Sequence, residues 1–205
     1  SGSVTRAISL SREFSLKTIL IASGAESAEL GAIDDIKSSG YAVILPLAFP
    51  DKPKVEDADE ALNVTLDDLM RWDAAPENPA KLATAGIPFA LGTCRLPSPG
   101  DFPGNLRKTL DRGLTADTAL AALTTVPART FGVEAILGTL APGKIANMVV
   151  YDGAPAEGKG VFDEKAKPVH VFVDGWKFDI EQKKSKGDPN AKVDPRGTWS
   201  INFTI

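Results

Sequence analysis

The sequence is poor in cysteine and histidine, the two residue types that most often bind zinc. Its 205 residues include one cysteine, Cys94, and one histidine, His170. A single cysteine excludes a disulfide bond within the chain, and it does not distinguish a cytoplasmic protein from an exported one. A zinc site takes three or four protein ligands, so one histidine cannot supply it. From its own residues, therefore, the chain is predicted to hold no metal ion or other cofactor.

The sequence also lacks a long hydrophobic run and a basic surface. The longest apolar run, residues 41–50, is far too short to span a bilayer, and residues 1–3 lack the pattern of a secretory signal. The net charge is −4, and lysines and arginines are scattered, whereas nucleic-acid binding needs a basic stripe. We expect a soluble protein with neither nucleic acid nor a membrane as its partner, in a compartment that the sequence leaves open.

The first two-thirds of the chain alternates helix-like and strand-like segments, which indicates the α/β class. Short apolar runs at residues 18–23, 41–46 and 87–91 are typical of buried parallel strands, and amphipathic segments separate them. Asn78 is predicted to cap one of these helices, with a proline after it. The segment 50–64, which is rich in acidic residues, is predicted to form a long loop. Three parallel strands do not close a barrel, so either a small open sheet forms or another polypeptide supplies the rest.

The last third of the chain has β character. Residues 148–151 are predicted to form a strand, and residues 168–180 a hairpin with Asp174-Gly175 as its two-residue turn. Residues 181–196 form a charged linker. Apolar and polar residues then alternate over 199–205, which is typical of an amphipathic strand.

Four ordered segments carry a resemblance to a known family. They are AGIPFALGTCR (85–95), GLTADTALAALTTVPARTFGV (113–133), LGTLAPGKIANMVVYDG (137–153) and VFVDGWKF (171–178). Together they resemble the C-terminal part of the amidohydrolase superfamily, and its imidazolonepropionase-like branch in particular. Residues 19–46 are similar to the two preceding βα units of the same branch.

The resemblance implies a fold class and a domain organisation. The implied fold is α/β, with the last βα units of a TIM-type (β/α)8 barrel followed by C-terminal strands of a small composite β-sandwich domain. On this basis residues 1–125 are the partial barrel with its last three strands, and residues 126–180 hold the closing helix and the sandwich strands. Residues 181–205 are the charged linker and the start of a further β-strand element. The remainder of the barrel would lie on the same longer polypeptide or on a second subunit. A homo-oligomer is also possible on this sequence.

The resemblance also implies a chemistry. Members of the family use zinc or iron to hydrolyse C–N bonds in amides or cyclic amides, and the metal ligands are histidines and the aspartate of a Gly-Thr-Asp motif. The matching motif here ends in Cys94, and the strand that ends at Ser23 carries no histidine. We therefore expect the chain alone to be inactive, because it is catalytically degenerate or incomplete. The alternatives are a genuine enzyme portion completed by an N-terminal part, a scaffold or partner domain, and a small-molecule binding domain.

The candidate site residues follow from the ends of the strands. Ser23, Gly24 and Thr93 are predicted to line the barrel mouth, where a small molecule would bind. Cys94 could act as a metal ligand or as a nucleophile, but a reactive cysteine needs a base or a positive neighbour. Because a free cysteine usually behaves as a small buried hydrophobe, Cys94 is predicted to be an inert replacement of the aspartate. His170 alternates with valines in a strand and is predicted to be structural or solvent-facing.

The remaining charged and aromatic residues have simpler interpretations. The acidic residues between positions 56 and 60 lack the spacing of a calcium loop and are predicted to be solvated. Asp67 and Asp68 suit the first turn of a helix, where acidic side chains interact favourably with the helix dipole. The three tryptophans are predicted to be core or interface anchors: Trp72, Trp176 and Trp199.

Overall fold

The computed structural model describes residues 2–22, 33–155 and 157–180. The helices in these ranges are α1 (Gly2–Glu13), α2 (Ile33–Ser39), α3 (Ala58–Ala61), α4 (Leu66–Ala74), α5 (Asn78–Thr84), α6 (Phe102–Asp111), α7 (Ala116–Leu123) and α8 (Thr125–Thr130). The strands are β1 (Ile19–Ile21), β2 (Ala42–Pro46), β3 (Phe89–Gly92), β4 (Met148–Asp152), β5 (Lys167–Val173) and β6 (Trp176–Asp179). Among the described helices, none is long and apolar enough to cross a membrane.

The first three strands form a parallel sheet in chain order, β1-β2-β3. Leu20 pairs with Val43, and Val43 pairs with Phe89. Parallel neighbours need a crossover connection, which the helical segments between the strands provide. The three strands predicted from the apolar runs are confirmed, although β3 begins two residues later than expected. The amide of Ile87 donates to the carbonyl of Leu82 instead, and this bond closes the end of α5.

One face of the parallel sheet packs against helices. Val43, Leu45, Phe89 and Leu91 lie on this face and are buried in a single hydrophobic cluster. The cluster takes one or more side chains from each of five helices: Ile8, Ile36, Leu82, Leu106, Ala119 and Ala122. Helices thus cover the same face of all three strands, as right-handed crossovers between strands in chain order require.

The opposite face of the sheet is bare along β1. Ile19 and Ile21 point to this face and are 37% and 63% exposed, and the neighbouring Ile44 is half-buried. The expectation that residues 18–23 form a strand buried on both faces is therefore wrong for the described part of that run. Its helix-side residue, Leu20, does pack against the core. Parallel sheets are normally covered on both faces.

The start of α4 confirms one sequence prediction. Thr65 accepts a hydrogen bond from the amide of Asp68, whose carboxylate accepts one from the amide of Thr65, so the two residues form a capping box. Asp67 and Asp68 lie in the first turn of the helix, as predicted. The two hydrogen bonds to Thr65 lower the pKa of the Asp68 carboxyl below its ordinary value.

Two local predictions are wrong. Asn78 is not a helix cap, because the 3₁₀ turn Ala75–Glu77 runs directly into α5 and Asn78 already has helical backbone angles. Its side chain is buried, with Oδ1 lacking a hydrogen-bond partner in the described structure. The acidic segment 50–64 is not a continuous loop, because Asp57 accepts hydrogen bonds from two amides and caps the short helix α3.

The second sheet is antiparallel, with the order β4-β5-β6. The predicted hairpin is confirmed: Asp174 and Gly175 connect β5 to β6 with φ angles of 50° and 85°. Two positive φ angles are the mark of a type I′ turn, whose twist matches that of the strands. The predicted linker over 181–196 and the alternating segment 199–205 lie outside the described residues.

Candidate functional site

The carboxyl ends of β1, β2 and β3 meet at one edge of the parallel sheet. Just beyond the strands, the amide of Ala22 donates to Ile44 O (3.0 Å) and the amide of Leu47 donates to Gly92 O (3.2 Å). In barrels of parallel strands the catalytic residues lie at this end. This edge is therefore the candidate functional site.

Thr93 and Cys94 lie at this edge, directly after β3. Both side chains are exposed, and a turn in which the amide of Leu96 donates to Thr93 O (3.1 Å) holds them there. The expectation that Cys94 is a buried small hydrophobe is wrong, because the residue stands in a turn beyond the strand, where the helices no longer cover the chain. Arg95 follows in the left-handed region, with φ of 66°. The roles of Thr93 and Cys94 stay predictions.

The other two predicted mouth residues, Ser23 and Gly24, lie outside the described residues. Their predicted role in binding therefore stays a prediction, and the described part of the site consists of the ends of β2 and β3 together with Ala22 directly after β1.

A buried leucine supports this edge, and sequence reasoning missed it. Leu47 is fully buried, and its carbonyl accepts a hydrogen bond from Asn105 Nδ2 in α6 (2.8 Å). The same residue bonds to the end of β3 through its amide, so it joins two strands and a helix at the mouth. No local signal could have identified this contact, because Asn105 lies 58 positions further along the chain.

Gly92 permits the close approach of β2 and β3 at the mouth. A Cβ atom added there would lie 3.3 Å from Ile44 Cγ2 and 3.8 Å from Cys94 Sγ. The first contact is tighter than ordinary van der Waals distance, so a larger residue would press on β2. The glycine of the Gly-Thr-Cys motif thus has a packing role that is independent of any chemistry.

His170 lies far along the chain, in β5, and pairs with Asp179 in β6. Its Nδ1 atom is 2.7 Å from Asp179 Oδ1, and Lys177 Nζ lies 3.0 Å from the same oxygen. Two hydrogen bonds lower the pKa of the Asp179 carboxyl below its ordinary value. The bond from Lys177 has the larger effect, and the bond from His170 has the smaller one. The alternation along β5 predicted that His170 lies opposite the valines, but the cross-strand partner was not predicted.

The acidic residues between 56 and 60 make local contacts. Glu56 pairs with Lys52 (2.7 Å) and Glu60 with Lys54 (3.4 Å), and all four side chains are largely exposed. The hydrogen bond from Lys52 lowers the pKa of Glu56 below its ordinary value. Across the described ranges, no group of three or more His, Cys, Asp or Glu side chains is arranged to hold a metal ion.

The two described tryptophans differ in their surroundings. Trp72 is half-buried in α4, whereas Trp176 at the start of β6 is 76% exposed. The prediction of a core anchor is therefore wrong for Trp176, and an interface role for it stays a prediction. Trp199 lies outside the described residues.

Comparison with known proteins identifies the family. The model of the amidohydrolase family matches residues 73–177, which is just over half of the chain. Over 104 residues the chain is 39% identical to imidazolonepropionase from Rhizorhabdus wittichii. That match covers 47% of this chain and 24% of the relative, so the matched segment spans about a quarter of that protein.

Solved structures agree on the fold. An amidohydrolase from Thermotoga maritima MSB8 has a TM-score of 0.62 at 24% identity, covering 86% of this chain and 41% of that one. A prolidase in complex with N-methylphosphonate-L-proline has a TM-score of 0.56 at 23% identity, covering 86% and 43%. These similarities show an α/β fold of the TIM-barrel type. The chain belongs to the amidohydrolase family, and its similarity to imidazolonepropionase agrees with the branch that the four sequence segments indicate.

Proposed function

We propose that this chain is the C-terminal portion of an amidohydrolase-like protein, and that its part of the barrel mouth is catalytically degenerate. By family, the complete protein descends from hydrolases of C–N bonds in amides or cyclic amides. The observation that carries the proposal is the exposed thiol of Cys94 at the end of β3. The family motif that the sequence resembles has an aspartate at this position.

The described residues do not fit the metal centre that the family implies. Cys94 is one potential donor at the mouth, and one donor is too few for a zinc site. The neighbouring end of β2 contributes Pro46 and Leu47, whose side chains have no donor atom. We therefore derive no catalytic step through a metal for this chain.

The arrangement of the sheets supports the finer assignment of the fold. We propose that β1, β2 and β3 are the last three strands of a (β/α)8 barrel, because helices cover one common face of them and leave β1 bare on the other. We propose that β4, β5 and β6 belong to the small composite β-sandwich domain. The proposed division is 1–125 for the partial barrel, 126–180 for the closing helix and the sandwich strands, and 181–205 for the linker and a further β element.

Hydrolysis assays on the complete protein, including whatever residues flank this chain, test the proposal. We expect no hydrolysis above background with a panel of amides and cyclic amides, either in the natural protein or in the Cys94→Ala variant. Ser98→Ala in the same exposed loop is the matched control. Hydrolysis that Cys94→Ala abolishes and Ser98→Ala preserves would contradict degeneracy and favour the alternative, an enzyme portion completed by an N-terminal part.

A further inference from the structure

The sequence contains two Asp-Gly pairs, and both lie where strands of the antiparallel sheet end. Asp152 is the last residue of β4 and is followed by Gly153, whereas Asp174 and Gly175 form the turn between β5 and β6. All four residues are exposed. An aspartate followed by glycine is prone to cyclisation, because glycine has no side chain to hinder attack by its own amide nitrogen. The two pairs have the same chemistry, but the structure gives their glycine amides different partners.

At the end of β4, the amide of Gly153 donates to the side chain of the residue directly before it. Its nitrogen lies 2.8 Å from Asp152 Oδ1. Because Oδ1 is bonded to Cγ, the nitrogen is held beside the carbon that it would attack, as a near-attack conformation requires. The φ angle of Gly153 is +71°, and a Cβ atom added to it would lie 2.7 Å from Lys165 O. The position therefore requires glycine, and the backbone holds the amide against the carboxyl group.

The turn between β5 and β6 holds its glycine amide on a different acceptor. The amide of Gly175 donates to Ala146 O (3.1 Å), and the amide of Asp174 donates to Asn147 Oδ1 (2.7 Å). Both bonds tie the turn to the two residues that precede β4. Cyclisation at Asp174 would first have to break the bond from Gly175, and local opening of this kind costs free energy. The second pair is therefore held out of the reactive arrangement.

We propose that Asp152-Gly153 is a site of spontaneous isoaspartate formation, from which the Asp174-Gly175 turn is protected. The Gly153 nitrogen attacks Asp152 Cγ, so that an N–Cγ bond forms and a Cγ–O bond breaks. The hydroxyl of the protonated carboxyl group leaves with the amide proton as water, and a succinimide ring remains. Water then adds to one of the two ring carbonyl carbons and breaks its bond to nitrogen. Opening at Cγ restores aspartate, whereas opening at the main-chain carbonyl carbon yields isoaspartate.

Isoaspartate at this position would lengthen the main chain at the end of β4 by one carbon atom. Asp152 pairs with Lys167 of β5, just beyond the register shift between Val150 and Tyr151. An extra atom in the main chain changes the spacing of the amide and carbonyl groups, so the last pair of the β4–β5 ladder would be lost. The inference is independent of the proposed function, because it involves no residue of the barrel mouth.

Incubation of the complete protein in heavy-oxygen water tests the proposal. Each cycle of ring closure and opening introduces one heavy oxygen atom at the aspartate. Peptide mapping by mass spectrometry with electron-transfer fragmentation assigns the label, and the isoaspartate, to residue 152 or 174. We expect both to accumulate roughly tenfold or more faster at Asp152 than at Asp174, because only Asp152 has its nucleophile in place. Equal rates in the folded protein, or a faster rate at Asp174, would overturn the proposal.

Unfolded protein and two variants separate the effect of the fold from that of the sequence. In urea we expect similar labelling rates at both aspartates, and a difference that persists there would show that the fold does not decide. Asn147→Ala removes the bond to the Asp174 amide and should raise labelling at Asp174 but not at Asp152; unchanged labelling at Asp174 would overturn the protection. Asp152→Glu is the matched control and should carry no label at position 152, because the longer side chain forms a larger ring that closes far more slowly.

Discussion

Gly138 shows how one residue fixes the turn that leads from the helical part of the chain to the antiparallel sheet. Its φ angle is +92°, and a Cβ atom added there would lie 2.6 Å from Ala128 Cβ and 3.1 Å from Thr124 O. Gly143 has a similar φ of +86° but has open space around it. The two glycines therefore separate the effect of backbone conformation from the effect of close packing against α8.

We predict that Gly138→Ala destabilises the complete protein more than Gly143→Ala does. The left-handed backbone costs an alanine about 1 kcal/mol at either position. At Gly138 the clash with α8 adds about 1–3 kcal/mol, which is typical of overpacking. Urea unfolding of both variants measures the difference, and equal losses would show that α8 moves away freely.

The residues of the site were predictable to different degrees. The Gly-Thr-Cys motif placed Cys94 at the end of a strand, because strand ends and family motifs are local in sequence. Its exposure was not predictable, since burial depends on which helices reach beyond β3. The contact between Asn105 and Leu47 joins distant parts of the chain, and no periodicity marks such a pair.

At the scale of elements, Arg112 links α6 to the end of α4 and the following turn. Its Nη2 atom lies 2.5 Å from Asp73 Oδ1, and its Nη1 atom lies 3.1 Å from Glu77 Oε1. The hydrogen bond from Arg112 lowers the pKa of Asp73 below its ordinary value. Glu77 also has a lowered pKa, first because of its hydrogen bond with Lys81 and then through Arg112.

We predict that Arg112→Gln weakens the dependence of stability on acid pH. A carboxyl whose pKa is lowered by folding contributes stability above its ordinary pKa, and this contribution is lost as the pH falls through the lowered value. Without Arg112, folding lowers the pKa of Asp73 by a smaller amount. The unfolding free energy should therefore fall less steeply below about pH 5. Arg129→Gln, an exposed residue of α8 with the same charge, is the control. Identical pH profiles for both variants would contradict the prediction.

The elements themselves were largely predictable from local chemistry. The apolar runs indicated the three parallel strands, and the Asp-Gly pair indicated the β5–β6 turn, because both signals depend on neighbouring residues. The prediction failed at Asn78, where an Asn-Pro pair is typical of a helix start but the preceding turn is already helical. Incomplete cover of a three-stranded parallel sheet was expected, but the face that lacks cover was not predictable, since the residues of β1 are apolar on both sides.

At the scale of the whole molecule, one proposal explains both the exposed face of β1 and the cysteine that follows β3. The chain matches under half of the length of the solved structures cited above, and helices cover one common face of its parallel strands. Both facts support a barrel that is completed by residues outside this chain. In the proposed function, Cys94 stands where the motif that the sequence resembles has a metal-binding aspartate.

The metal content of the complete protein tests this account most directly. Purified without chelator and analysed by elemental mass spectrometry, the protein should contain zinc and iron at well below one ion per chain, because the proposed function has Cys94 in place of the aspartate ligand. A full equivalent of either metal, retained through dialysis, would contradict a degenerate site and would show that the rest of the barrel supplies a complete set of ligands.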